Sequence, residues 1–255
     1  MTAPRPAELK AVVFDLIYTL IHPGEYPGGG GRVAWLARLL GVDARELGTR
    51  FDAFDPILDS GQAPRAPDGT DPVLHWIHET AAELGAATTE ATRAAIEQDW
   101  DRNRREGLLS PPGETITTLR ALRARGFKLG ILSNTHAAEM KALPRSPLPA
   151  LVDAITLSDE IRACKPAPAA YAHILNGLGV AAAEAAYVGD GGNDELAGAK
   201  AAGFSAVILA ERYARAFHPG ELPRLRSQSD TSVATLEALI PLLSDLAPAH
   251  PVSDR

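Results

Sequence analysis

The stretch Ala11-Val12-Val13-Phe14-Asp15-Leu16-Ile17-Tyr18-Thr19-Leu20 decides how the rest of the chain is read. Its first four residues form a continuous apolar run, too short for a stable helix and suited to a strand covered on both faces. An acidic side chain, Asp15, follows at the strand end. Similar runs recur at residues 128–132, 154–157, 186–188 and 206–209, and helical patterns at 114–125, 167–178 and 194–202 separate most of them. This alternation predicts an α/β fold built on a doubly wound parallel sheet. Reactive groups in such a sheet collect at the carboxyl ends of the strands.

From His22 to Leu109 the alternation stops. No convincing strand occurs there, and helices are expected near 32–40, 72–84 and 89–105. The segment opens with His22-Pro23-Gly24 and the glycines at 28–31, and it closes at Ser110-Pro111-Pro112-Gly113. Clusters of this kind act as hinges. The expected organisation is an α/β core made of residues 1–21 and 110–255, with residues 22–109 inserted as a helical cap. A chain of 255 residues has the length for both.

Composition narrows the partners. A formal net charge of -7 gives no long-range attraction for nucleic acid or an anionic membrane. Cys164 is the one cysteine, so an intrachain disulfide is excluded. Met1 to Leu9 is polar and Pro-rich with no apolar signal core, and no window approaches the roughly 18 apolar residues of a membrane span. A cytoplasmic protein is expected, monomer or homodimer, with a small-molecule ligand.

The order of the polar clusters at the strand ends carries the chemistry. Asp15 ends the first strand and Ser133-Asn134 the second. Lys165-Pro166 opens a helix, and Val188-Gly189 delivers Asp190, with Asp194 four residues on, past Gly191-Gly192-Asn193. Carboxylates beside a lysine make a site for Mg2+ and phosphate. Mg2+ takes oxygen ligands in octahedral geometry and keeps several waters. A lysine holds a phosphoryl group as a point charge. The Ser133 hydroxyl and nearby backbone N–H groups are placed to donate to the transferring oxygens. A carboxylate nucleophile would form a covalent intermediate that water then hydrolyses.

These four clusters resemble, in order and spacing, the four motifs of the haloacid dehalogenase superfamily. Phe14-Asp15-Leu16-Ile17-Tyr18-Thr19-Leu20 is similar to the first, which reads Asp-x-Asp-x-Thr in the phosphatases. Leu132-Ser133-Asn134-Thr135 resembles the second, and Leu157-Ser158-Asp159-Glu160 leading into Lys165-Pro166 resembles the third. Val188-Gly189-Asp190-Gly191-Gly192-Asn193-Asp194 resembles the acidic fourth. The resemblance implies a Rossmann-like core and a hydrolase acting on a small phosphorylated metabolite through an aspartyl-phosphate on Asp15. It implies Ser133 and Lys165 as catalytic groups on the phosphoryl, with Thr19 and Asn134 supporting its binding. It implies Mg2+ held by Asp15, the backbone carbonyl of Ile17, Asp190 and Asp194.

One position departs from the pattern. Where the phosphatases carry a second Asp as general acid and base, this chain has Ile17, which cannot move a proton. Such a group is worth roughly 10²–10⁴-fold in rate. Tyr18 also stands where a small glycine is usual, a place from which it would narrow the pocket or reach toward the leaving group. A metal-independent dehalogenase acting on 2-haloacids and an inactive binding protein are therefore the alternatives. His22, Glu25 and Tyr26, at the cap entrance, are the first suspects for a substitute proton donor.

Overall fold

A computed structural model of the chain describes residues 9–22, 31–59, 72–86, 88–135 and 140–244. Among them are the strands β1 (Ala11–Phe14), β2 (Lys128–Ser133), β3 (Ala154–Leu157), β4 (Ala185–Gly189), β5 (Ala206–Ala210) and β6 (Thr231–Val233). They form one sheet in the order β3-β2-β1-β4-β5-β6, with every pair parallel. The helices are α1 (Gly31–Leu40), α2 (Ala44–Asp59), α3 (Pro72–Glu83), α4 (Glu90–Leu109), α5 (Gly113–Ala124), α6 (Ser158–Ile161), α7 (Pro168–Leu178), α8 (Glu195–Ala202), α9 (Arg212–Phe217), α10 (Leu222–Gln228) and α11 (Leu239–Ser244). None is long and apolar enough to cross a membrane.

The continuous apolar character of β1 follows from its central place. Val12 and Phe14 pack with Leu119 and Leu122 of α5 and Leu239 and Leu243 of α11. Ala11 and Val13 face the other way, onto Ile174 of α7 and Leu196 and Ala199 of α8. All four β1 residues are fully buried, so neither face of the strand tolerates a polar side chain. Burial of a residue such as Val or Phe contributes roughly 1.5–3 kcal/mol.

The chain runs from β1 outward through β2 to β3, then returns to the far side of β1 for β4, β5 and β6. The boundary between β1 and β4 is thus a topological switch point, where a crevice opens beyond the carboxyl ends. Register sets what enters it. Phe14 pairs with both Ile131 and Val188, which brings Asp15 level with Leu132 and Gly189. Ser133 and Asp190 lie one residue further along.

Helices α1 to α4 enclose a third cluster, including Leu36, Leu47, Phe51, Phe54, Ile77 and Ile96. Trp76 stacks on Phe54 at 4.4 Å and meets Phe51 edge-on at 4.6 Å. The two ends of this helical segment lie side by side. The Thr115 hydroxyl donates to the Leu20 carbonyl at 2.7 Å, and Gly107 lies against Ile21 and the His22 carbonyl. Sequence periodicity gave no expectation of α2, although the signal is present. The Asp43 side chain accepts from the N–H groups of Arg45 and Glu46, and Leu47, Phe51 and Phe54 make its buried stripe. Strand β6 escaped because Thr231-Ser232-Val233 is a short, partly exposed edge with no apolar run.

Glu211 ties the last helices to the sheet. Its N–H donates to the Val233 carbonyl at 2.9 Å, and its buried carboxylate accepts from Arg226 at 2.6 Å and Arg215 at 2.5 Å. Arg226, with Ser232 and Arg215, lowers the Glu211 carboxyl from its usual 4.5 to about 2. A carboxyl with a depressed folded pKa stabilises the fold above its ordinary pKa and loses that contribution as pH falls through the folded value. Glu211→Gln is expected to lose about 2 kcal/mol at pH 7, a drop of roughly 4–8 °C in melting temperature. Thermal melts should show the gap from wild type closing as pH falls from 4.5 toward 2, and a gap independent of pH would contradict this role.

Candidate active site

The site is assembled around a buried lysine. Lys165 lies just ahead of α7, and its Nζ donates to Asp15 Oδ1 and to Glu195 Oε2, each at 2.5 Å. The three side chains are almost wholly shielded from solvent. The lysine backbone is clamped as well. Asn134 accepts from the Lys165 N–H at 2.7 Å and donates to its carbonyl at 2.9 Å, so both ends of its amide are engaged. Two tyrosines complete the surround. Tyr187 donates to Glu195 Oε2 at 2.7 Å and accepts from Lys165 at 3.2 Å, while Tyr171 donates to the Glu195 carbonyl at 2.7 Å.

Electrostatics follow from burial and proximity. Burial alone would lower the Lys165 ammonium, but Asp15 and Glu195 outweigh it and hold the pKa above the ordinary lysine value. Burial pushes Asp15 up to about 6, against the pull of Lys165 and with the push of Glu195. Asp190 is raised well above the usual carboxylate range by burial, by Glu195 and by Asp15. Carboxylate oxygens of Asp15, Asp190 and Glu195 lie within 4.8 Å of one another. Three carboxylates share one lysine, and the cluster has room for further positive charge.

The loop after β4 shows why these residues converge. A Cβ on Gly189 would collide with the Glu195 carboxylate, and one on Gly191 (φ +94) would collide with Leu225 of α10. Glycine lets the backbone pass close enough for the Gly191 N–H to donate to Glu195 Oε1 at 3.0 Å. Asp194, at φ 52 and before α8 begins, is turned outward. Its side chain is 64% exposed and pairs with Arg224 at 3.2 Å. The structure therefore brings Glu195 to the cluster where sequence reasoning expected Asp194. The periodicity of α8 held the correction, because Glu195 shares the buried stripe of Leu196 and Ala199 and Asp194 does not.

Thr19 and Ser133 are buried; the Thr19 hydroxyl lies close enough to the Asp15 carboxylate to lower its pKa, while the Ser133 hydroxyl has no hydrogen-bond partner. Asn134 faces the Lys165 backbone and so acts as a brace. Ile17 makes a parallel bridge to Ile21 and packs on the cluster that includes Phe14. His22 is pushed down to about 4 by burial and by Arg212, which leaves it neutral at pH 7 and without a proton to give as an acid. Glu25 and Tyr26 lie outside the described residues.

Fold and site together define a doubly wound α/β hydrolase with a carboxylate–lysine centre at its switch point. The chain belongs to the haloacid dehalogenase-like hydrolase family, whose pattern it matches over residues 9–203. A phosphoglycolate phosphatase of Rhodospirillum rubrum is 36% identical over 221 residues, covering 81% of each chain. A ribulose-1,5-bisphosphate 5-phosphatase of Halopiger xanaduensis is 29% identical over 244 residues, 92% of this chain and 99% of that one. In three dimensions the chain is similar to an L-2-haloacid dehalogenase of Xanthobacter autotrophicus, with a TM-score of 0.61 and 23% identity over 94% of this chain and 100% of that one.

Removing the lysine leaves like charges buried together. Lys165→Met is expected to cost about 3 kcal/mol or more. Adding Glu195→Gln should return part of that loss, because it removes one of the stranded charges. Urea denaturation of the single and double variants measures the coupling, and simple additivity would show that the two groups share no interaction energy.

Proposed function

We propose that this protein is a Mg2+-dependent phosphatase of small phosphorylated metabolites, with Asp15 as the nucleophile. The observation that carries the reading is the buried polar setting of Asp15, which pairs with Lys165 and lies within reach of the Thr19 hydroxyl. The Ser133 hydroxyl, one residue past the level of Asp15, is buried without a partner, and such an atom costs about 1–3 kcal/mol unless a ligand satisfies it. Two hydroxyl donors and an ammonium beside a carboxylate suit the oxygens of a phosphoryl group.

In the first step an Asp15 oxygen bonds to phosphorus as the ester P–O bond breaks, and the leaving oxygen departs with the bonding electron pair, as an anion or with a proton taken from solvent. In the second, water bonds to phosphorus, the Asp15–phosphorus bond breaks, and phosphate departs with one proton released. Lys165 and the hydroxyls of Ser133 and Thr19 hold the phosphoryl oxygens throughout, and α1–α4 serve as a cap that excludes water. Asp15, Asp190 and Glu195, with the Ile17 carbonyl, fit a divalent cation on charge and donor type. When bound, Mg2+ supplies charge that screens the approach of an anionic substrate to Asp15. Ile17 leaves the departing oxygen without a side-chain acid, so esters with stable leaving anions are favoured.

Ile17 also suits a second reading, halide displacement from a 2-haloacid, because a departing halide needs no proton. The three-carboxylate cluster favours the phosphatase.

Phosphate release from acetyl phosphate, 4-nitrophenyl phosphate and 2-phosphoglycolate should require Mg2+, stop with EDTA and vanish in Asp15→Asn. Mg2+ should also raise the melting temperature of wild type and not of Asp190→Asn. Halide release from 2-haloacids that persists in EDTA would replace this function with the second. Ile17→Asp should raise kcat for 2-phosphoglycolate by about tenfold or more relative to acetyl phosphate. Equal effects on both substrates would count against a missing proton donor.

A further inference from the structure

Tyr18 adopts a backbone conformation unsuited to its size. Its φ is 64, in the left-handed region where a bulky residue is an outlier. Neighbours hold it there. Its N–H donates to the Ile21 carbonyl at 2.7 Å, and its ring stacks on Tyr213 with centroids 3.9 Å apart and planes 17° from parallel. Tyr18 follows β1 and Tyr213 lies in α9, after β5, with β4 running between those strands. The paired rings therefore reach across the carboxyl edge beside the strand that delivers Asp190.

Little space remains behind them. Tyr18, Thr19, His22, Glu114, Arg212 and Leu236 are among the residues around a cavity of about 10 Å³, room for about one water. Arg212 and Glu114 close its rim as an ion pair. Among the described residues that flank has no room for a leaving group. In-line displacement needs the departing oxygen opposite Asp15, and Tyr18 follows Asp15 by three residues at the same carboxyl edge.

We propose that Tyr18, held by Tyr213, is a specificity-determining residue. The stacked rings wall the leaving-group side of the site and favour phosphate esters and anhydrides with small leaving groups over those with aryl ones. This rests on the phosphatase reading above. It gives strain at a loop beside the nucleophile a purpose, since glycine would relax the backbone and open the wall.

The test compares full-length wild type, Tyr18→Gly, Tyr213→Ala and Tyr18→Phe, assayed with Mg2+ on acetyl phosphate and on 4-nitrophenyl phosphate. Both leaving groups depart as stabilised anions, so the absent acid at Ile17 does not separate them, and their difference is size. The ratio of kcat/KM for the aryl ester over acetyl phosphate is expected to rise about tenfold or more in Tyr18→Gly and Tyr213→Ala, chiefly through KM for the aryl ester. It should stay near the wild-type ratio in Tyr18→Phe, which keeps the stack. Either opened variant decides the matter if the other does not fold. An unchanged ratio would mean that the stack is only structural, and a lower one that the rings are a platform for the aryl group; each overturns the proposal. A wild type that turns over neither substrate overturns the phosphatase reading itself, an outcome distinct from a folded, active variant with an unchanged ratio.

Discussion

A charged lysine is tolerated inside this protein only because two carboxylates reach it. Lys165 is 3% exposed, and an ammonium that deep would be severely disfavoured if unpaired. Asp15 arrives from the end of β1 and Glu195 from the first turn of α8, while Asn134 at the end of β2 fixes the lysine main chain. One buried cation thus joins two strand ends and the start of two helices. The same pairing orients the Asp15 carboxylate, engaging Oδ1 and leaving Oδ2 outside the ion pair. Geometry that stabilises the fold is also geometry that aims the Asp15 carboxylate.

Much of this was legible from residue order alone. Strands β1 to β5 announce themselves because parallel strands buried on both faces must be apolar without interruption. Asp15, Ser133, Lys165 and Asp190 were readable because each follows such a run or opens a helix. What failed was finer than pattern. Asp194 and Glu195 are adjacent acids, and a backbone at φ 52 turns the first to solvent while the helix carries the second inward. Spacing counted from Asp190 could not resolve that, whereas the buried stripe of the helix does. Asn134 has the chemistry to meet a ligand but is occupied by the Lys165 main chain, and nothing local in sequence reports a partner 31 positions away. Tyr187 and Tyr171 look like ordinary core aromatics until their hydroxyls are seen on Glu195.

The loop after β1 breaks local rules twice in succession. Ile17 puts an aliphatic side chain two residues past Asp15, where the motif it resembles would put an acid, and Tyr18 puts a large ring where the backbone asks for glycine. Natural sequences hold such conflicts mainly at functional sites, where neighbouring structure must stabilise them. Here the Ile17–Ile21 bridge and the Tyr18–Tyr213 stack do so. The departures lie in the loop itself and leave β1 and its pairing intact, so the chemistry at this edge is open to change without rebuilding the sheet.

The central position of β1 has a consequence for how the molecule is made. Ala11 pairs with Lys128 on one side and with Ala185 on the other, so this strand waits for partners encoded far downstream. Loop-closure entropy makes such pairings slow to form. Until β4 emerges, the segment Ala11-Val12-Val13-Phe14 lacks one of its two neighbours and offers an apolar edge to whatever is nearby. The helices α1–α4, whose shared cluster draws on residues 36 to 96, are synthesised in that interval and can settle around that cluster first. Asp15, at the end of this strand, thus reaches its final setting only once the β4 segment has been made.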